Sequence, residues 1–471
     1  MCKITTICLQ TKDFEYFCTM NNFIQEDTIC ALATGGGTSA IALIRISGKD
    51  SIKITNTIFS KNLENVKSHT IHFGTILDNN EIIDEVIISV FHKNKSFTGE
   101  ETIEISCHGS LFIQKKILEI LINKGCRMAN PGEFSMRAFK NGKLDLSQAE
   151  SIADLISSKS KIEHKTALKQ LRGGFSNTLE ELRKRLIDFA SLIELELDFS
   201  EEDVEFANRK ELNQLLIIIQ TELKKLITSF KLGNAIKNGI PVAIIGAPNA
   251  GKSTLLNTLV NEEKAIVSEI AGTTRDAIED ELIIDGIRFR FIDTAGIRDT
   301  NDTIEIMGIQ KSIEKAKKAE IILFLIDANN KTKEQINQLK KIKNISENNI
   351  LVVINKIDLN SNFKSDIENP TYISAKNKTG IKELKEKILN IVSIQDISNN
   401  DIIITNLRHY EELQLTLHEI KAIINGLDEN ISTDLLTINI RQALFHLGSI
   451  TGSITTDDLL GNIFSKFCIG K

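Results

Sequence analysis

Gly246-Ala-Pro-Asn-Ala-Gly-Lys-Ser253 follows the apolar run Pro241-Val-Ala-Ile-Ile245 and opens Thr254-Leu-Leu-Asn-Thr-Leu-Val260. That order reads as strand, phosphate loop and helix, the start of an α/β nucleotide domain. The glycines let the backbone turn its N–H groups toward phosphate oxygens, and the helix N-terminus adds partial positive charge. Lys252 is placed to bridge β- and γ-phosphates and Ser253 to ligate magnesium.

Further signals narrow the base to guanine. Asn355-Lys-Ile-Asp358 follows the strand-like run Ile350-Leu-Val-Val-Ile354, so its side chains stand at a strand's C-terminal edge, where open α/β sheets bind ligands. The Asp358 carboxylate can accept from guanine N1 and N2 together, whereas adenine would present an acceptor to it and leave it unpaired. Asn355 is placed to tie the base-binding loops together. Ser374-Ala375-Lys376, after a short strand, offers a backbone N–H to guanine O6. Asp293-Thr294-Ala295-Gly296 ends the strand-like run Ile287–Ile292, beside the expected magnesium shell. Gly272-Thr273-Thr274-Arg-Asp276 occupies the place of an effector loop, with a threonine hydroxyl as second magnesium ligand. The expected GTP contacts are Asn249, Ala250, Gly251, Lys252, Ser253 and Thr254, then Ser268, Glu269, Ile270, Ala271, Gly272, Thr273 and Thr274, then Asp293 to Gly296, and Asn355, Lys356, Asp358, Ser374, Ala375 and Lys376.

The residue after Gly296 is Ile297, where signalling GTPases carry a glutamine that orients the attacking water. Isoleucine cannot do this. Glu305 is a candidate for the task, in competition with Asp299 and Asp302 in the same polar run. No arginine finger is evident. A bound monovalent cation is another source of positive charge, and Asn249 offers it an oxygen.

The chain has 471 residues, enough for about three domains. Its formal charge of −6 rules out a global positive field for nucleic acid, so any RNA contact must be local. Lys159, Lys161, Lys165, Lys169 and Arg172 form one basic run, which reads as a solvated helix face. Seven cysteines lack any C-x-x-C pair, which argues against a zinc ribbon and for reduced thiols in the cytoplasm. Neither a secretory leader nor a run of eighteen apolar residues is present. Cys468 stands fourth from the end, but Gly470 and Lys471 do not suit a prenylation box.

Residues 27–145 alternate β-type runs (Thr28–Leu32, Ala40–Ile46, Ile82–Val90, Thr102–Ser106) with a helical stretch at Leu111–Lys124, an α+β pattern. Helical periodicity runs from Leu146 to Phe230, broken near Gly173-Gly174, and returns after about residue 405. Each block has half a core to bury, which predicts one helical domain (146–238 and 396–471) interrupted by a nucleotide domain at 239–395. Residues 1–26 precede this plan, with Met20 as an alternative start, and residues 1–19 read as an artefact or a disordered leader.

Outside the nucleotide motifs, Ser96-Phe-Thr-Gly-Glu100 with His108-Gly109, Pro131-Gly-Glu-Phe-Ser135 continuing to Lys143-Leu-Asp-Leu-Ser-Gln-Ala-Glu150, and the terminal stretch Asp458–Lys471 resemble the tRNA modification GTPase family called MnmE or TrmE, from about Asp27 to the end. The resemblance implies a folate-binding, dimerising α+β N-terminal domain, a helical domain and an inserted Ras-like P-loop GTPase domain. It implies a homodimer acting with an FAD-dependent partner, MnmG or GidA, on C5 of the wobble uridine (U34) of tRNA. A reduced folate, 5-formyltetrahydrofolate or a relative, supplies the one-carbon unit. By matching positions it assigns Arg45, Glu104, Lys143 and Lys471 to folate, and Asn249, Ser268, Ile270 and Thr273 to potassium. Ser253 and Thr274 match the magnesium ligands and Glu305 the catalytic glutamate. Cys468 takes the family's terminal cysteine position, where a folate-handling role and a packed thiol are both open. Two departures stand out: Gly35-Gly-Gly-Thr-Ser-Ala40 replaces a Pro-Pro-Gly-Arg-Gly-Gly-like loop, and Asn130 replaces a common arginine. A ribosome-assembly or general switch GTPase would share every nucleotide motif but has no use for the folate constellation.

Overall fold

The computed structural model describes residues 27–198, 209–261, 280–292, 314, 317–330, 333–345, 349–360, 367–391, 402–429 and 431–470. The chain divides into two compact units, one drawn from Met1–Glu150 with Thr451–Lys471 and one from Ser151–Ile450.

The first unit is built on β1 (Ile29–Leu32), β2 (Ile41–Ser47), α1 (Ser51–Asn56), β3 (Thr70–Asp78), β4 (Glu81–Phe91), β5 (Thr102–His108), α2 (Leu111–Asn123), β6 (Arg127–Met128) and α3 (Glu133–Lys140). Its six strands lie in the order β3-β4-β5-β2-β1-β6, antiparallel except for the β1–β6 pair. Alternation does the sorting: Val86, Ile88 and Val90 of β4 turn inward with Ile103, Ile105 and Cys107 of β5. Strand β3 escapes a reading by periodicity because Gly74 interrupts it. The Phe59 ring occupies the space there, 2.5 Å from where a Cβ would stand.

Helix α4 (Leu146–Ser157) leads into the second unit. There α5 (Lys161–Leu171), α6 (Gly174–Asp198) and α7 (Arg209–Asn238) precede the nucleotide domain. Gly173, with φ of 81°, makes the break between α5 and α6. The nucleotide domain comprises β7 (Ile240–Gly246), α8 (Lys252–Asn261), β8 (Asp280–Ile284), β9 (Ile287–Phe291), β10 (Ile321–Asp327), α9 (Lys333–Ile345), β11 (Asn349–Asn355), β12 (Thr371–Tyr372) and α10 (Ile381–Ile391). Its strand order is β12-β11-β10-β7-β9-β8, parallel but for the β8–β9 hairpin. Ile321 to Ile326 of the central strand β10 are all buried, since apolar clusters cover both sheet faces.

After the nucleotide domain come α11 (Leu407–Asp428), α12 (Thr433–Thr451) and α13 (Asp457–Phe464). One core joins Leu186 and Ile193 of α6, Leu216 and Leu223 of α7, Leu413 and Ile420 of α11, and Ile440 and Leu447 of α12, so the two helical blocks bury a common face. The chain's end belongs elsewhere. Gly132 has φ of 68°, and a Cβ there would lie 2.5 Å from the Phe464 carbonyl oxygen. Gly470 sits against Leu32 and Ala33, so the tail beyond α12 packs onto β1 and α3 within the first unit.

Candidate functional site

Strands β7, β10 and β11 run parallel, with Gly246 beside Leu325 and Asp327 beside Asn355, so their C-terminal ends open on one edge. The phosphate loop leaves that edge with Asn249 at φ of 58° and Gly251 at 93°. A Cβ on Gly251 would lie 2.3 Å from Asn355 Nδ2, so that position admits only glycine. Lys252 Nζ donates to the Gly246 and Ala247 carbonyls at 2.9 Å each, centring its charge in the loop. Ser253 follows at the first turn of α8, and Thr254 is exposed beside it.

Asn355, 2% exposed, makes the decisive tie. Its Nδ2 donates to the Ala250 carbonyl at 2.9 Å and its Oδ1 accepts from Ala375 N at 3.0 Å, joining the phosphate loop to the Ser374–Lys376 loop. Thr258 Oγ1 adds a bond from α8 to the Ala375 carbonyl at 2.9 Å. Ser374 Oγ donates to Asp358 Oδ1 at 2.6 Å and so orients an otherwise exposed carboxylate. Lys356, at φ of 64°, turns its ammonium to Asp327 Oδ2 at 2.7 Å. Burial would raise the Asp327 carboxyl, but Lys356 and the Asn329 N–H outweigh it and hold it below its ordinary value. The described candidates Asn249 to Thr254, Asn355, Lys356, Asp358 and Ser374 to Lys376 therefore gather on one sheet edge. Ser268 to Thr274, Asp293 to Gly296, Glu305 and Lys471 lie outside the described residues.

In the first unit Arg45 and Glu104 are register partners on β2 and β5, and Arg45 Nη2 lies 2.8 Å from Glu104 Oε1. The Arg45 guanidinium stands 5.6 Å from the ring centroids of both Phe97 and Phe134. Lys143 Nζ donates to the Asn94 carbonyl at 2.5 Å, and Asn141 Nδ2 donates to the Thr98 carbonyl at 2.7 Å. The Asn94–Glu100 turn thus holds Lys143 at Asn94 and carries Phe97 to Arg45.

A second charged group beside it escaped sequence reasoning. Glu133, 3% exposed, accepts from Arg127 Nη2 at 2.7 Å and Arg137 Nη2 at 3.0 Å. Arg137 also reaches Asp27 at 2.8 Å and Glu100 at 3.1 Å, and Glu100 accepts from Ser47 Oγ at 2.7 Å. Burial would raise the Glu133 carboxyl, yet hydrogen bonds from Arg127 and the Asn130 N–H, with Arg137 nearby, hold it low. Asp27 is lowered too: burial opposes, and Arg127 and Arg137 prevail. Glu100 and Glu133 stand inside quoted motifs, but nothing in the sequence pairs them with arginines.

A family model described as "MnmE helical domain" matches residues 146–468, more than half the chain, and one described as "GTP-binding protein TrmE N-terminus" matches residues 28–143. This chain belongs to the MnmE (TrmE) family. Relatives that bear the name tRNA modification GTPase MnmE match the chain over nearly its full length. The one from Flavobacterium johnsoniae is 53% identical over 465 residues, covering 95% of this chain and 100% of that protein. The one from Cytophaga hutchinsonii is 54% identical over 452 residues, covering 94% and 98%. The one from Bacteroides thetaiotaomicron is 50% identical over 467 residues, covering 95% and 100%. As an MnmE-family member the chain is multidomain, with a TrmE N-terminal domain, a helical domain and a P-loop nucleotide domain. Among the described residues no helix is long and apolar enough to cross a membrane, and no group of three or more His, Cys, Asp or Glu could hold a metal ion.

Proposed function

We propose that this MnmE-family protein is a GTPase of tRNA modification, with potassium-dependent hydrolysis and a reduced-folate site in its N-terminal unit. The observation that carries the nucleotide reading is the Asn355 amide, which joins the phosphate loop to the loop beside an oriented Asp358. Asp358 reads the guanine edge, Lys252 holds the β- and γ-phosphates, and Ser253 with Thr274 holds magnesium. Asn249, with Ser268, Ile270 and Thr273, holds potassium. When bound at these residues, the two cations would supply positive charge beside the phosphoryl oxygens. Glu305 orients the attacking water, which Ile297 cannot do.

The Arg45–Glu104 pair beside the exposed ring of Phe97 suits a pterin: a carboxylate for the amino-pyrimidine edge, a guanidinium, and one aromatic face for stacking, with buried Phe134 backing the guanidinium. Lys143 and Lys471 supply cations for the carboxylate tail. On this reading the cytoplasmic homodimer works with an FAD-dependent MnmG-type partner to build aminomethyl-type groups on C5 of wobble uridine in tRNA. The Arg45–Glu104 pair beside Phe97 favours it over a general switch GTPase.

GTP turnover by the full chain in potassium and in sodium tests the proposal. Sodium should slow hydrolysis strongly. Glu305→Ala should cut kcat by about a hundredfold or more with GTP affinity near that of the wild type, as expected when a transition-state contact alone is lost. Equal turnover in both salts, or parallel loss of binding and turnover in the variant, would reject the assigned roles.

A further inference from the structure

Hairpin β8–β9 forms one edge of the nucleotide sheet and connects directly to both motif segments that carry the switch sequences. Strand β8 begins at Asp280, after Gly272–Asp276, and β9 ends at Phe291, just before Asp293. Asp280 and Phe291 are register partners, so the strand ends next to the two motifs in sequence lie side by side. The tip, at Ile284 and Ile287, lies at the other end, about 13 Å away at strand rise.

That tip is held by charge. Arg288 Nε lies 3.0 Å from Glu163 Oε1 on α5, and Nη1 lies 3.2 Å from Glu281 Oε1. Arg288 Nη2 also donates to the Lys237 carbonyl at the end of α7. The Arg288 and Glu163 side chains are 11% and 7% exposed. Glu163 Oε2 accepts from the Lys159 backbone N–H at 2.6 Å, and Lys159 Nζ reaches Glu281 at 3.0 Å, so four charged residues are linked in a ring with one link through the backbone. Gly286 brings the turn against α5, where a Cβ would meet Lys161 Cβ at 3.6 Å. Arg288 Nε and Glu163 Oε1 meet as an ion pair without hydrogen-bond alignment, so the directional hold comes from the bonds of Arg288 to the Lys237 carbonyl and to Glu281, and the buried charge pair adds attraction between the hairpin and α5. Its removal is therefore felt in alignment as well as in stability.

We infer that Arg288 is a positioning residue for GTP hydrolysis, holding hairpin β8–β9 to α5 through Glu163 so that the switch segments start from a fixed place. The inference rests on the GTPase reading above and adds to it a route from the helical domain to the hydrolytic step.

The test compares wild type, Arg288→Gln, Glu163→Gln, the double variant and Lys159→Gln, all as full chains. GTP affinity, single-turnover hydrolysis and thermal unfolding are measured for each. Misplacement by about 1 Å far from the chemistry costs up to about a hundredfold, so Arg288→Gln should slow hydrolysis about tenfold with GTP affinity changed less than about threefold. The double variant should be no slower than the slower single one, because both break one contact. Unchanged hydrolysis per folded molecule, or a loss that only tracks the unfolded fraction, overturns the inference. If Arg288→Gln does not fold, Lys159→Gln decides. It breaks only the more exposed bridge to Glu281, should slow hydrolysis by about two- to threefold, and overturns the inference if it leaves the rate unchanged. Wild-type protein without GTP turnover overturns both readings, whereas an active wild type with unaffected variants overturns this one alone.

Discussion

Asp358→Asn should weaken GTP binding by about a hundred- to ten-thousandfold, the equivalent of two charge-assisted hydrogen bonds at about 1.5–3 kcal/mol each. Ser374 Oγ now donates to Asp358 Oδ1 at 2.6 Å, and it can donate equally to the Asn oxygen. The new amide N–H groups are then turned toward the base, against the N1–H and N2 amino group of guanine. Xanthosine triphosphate has a carbonyl oxygen at C2, which accepts what guanine cannot, so the variant should prefer it to GTP. Competition titration with both nucleotides checks the reversal. GTP affinity within about threefold of wild type would place the base elsewhere. Asn355 and Ala375 keep their bonds in this variant, so its fold should be preserved.

Arg137→Ala is expected to destabilise the first unit by about 3–5 kcal/mol, because it strips a nearly buried Glu133 of one of its two guanidinium partners. Asp27 and Glu100 lose the same cation. Unfolding followed by a probe in this unit, apart from the nucleotide domain, measures the effect. A loss under about 1 kcal/mol would mean that Arg127 alone suffices. Acid should do part of the same work. The Asp27 and Glu133 carboxyls lie below their ordinary values in the folded chain, so their contribution is complete above the unfolded carboxylate range near about 4. It is lost as pH falls through the lowered folded-state values, and the first unit should then unfold more readily. In Arg137→Ala that acid sensitivity should shrink.

Much of the nucleotide domain could be read directly. The run Pro241–Ile245 is β7, Ile350–Ile354 lies within β11, and the helix after Lys252 is α8. These elements depend on local periodicity and on loops whose glycine is demanded by the backbone itself. In the first unit β1, β2, β4, β5 and α2 were legible for the same reason. Strands β3 and β6 and helix α3 were not. Gly74 breaks the pattern of β3, β6 has two residues, and α3 lies in a motif that reads as a signature before it reads as a helix.

By itself the sequence determined what each short segment must be: a phosphate loop at Gly246–Ser253, an Asn-Lys-x-Asp at a strand's C-terminal end, and helical blocks on either side of a sheet domain. Tertiary structure alone decided which distant residues meet. Asn355 bonds Ala250 across 105 positions and Arg137 bonds Asp27 across 110, while the tail beyond α12 packs onto β1 and α3. A local motif follows from the stereochemistry of neighbouring residues. A pairing of distant charges follows from how whole sheets and helices bury their apolar faces, and the order of residues along the chain does not carry that information.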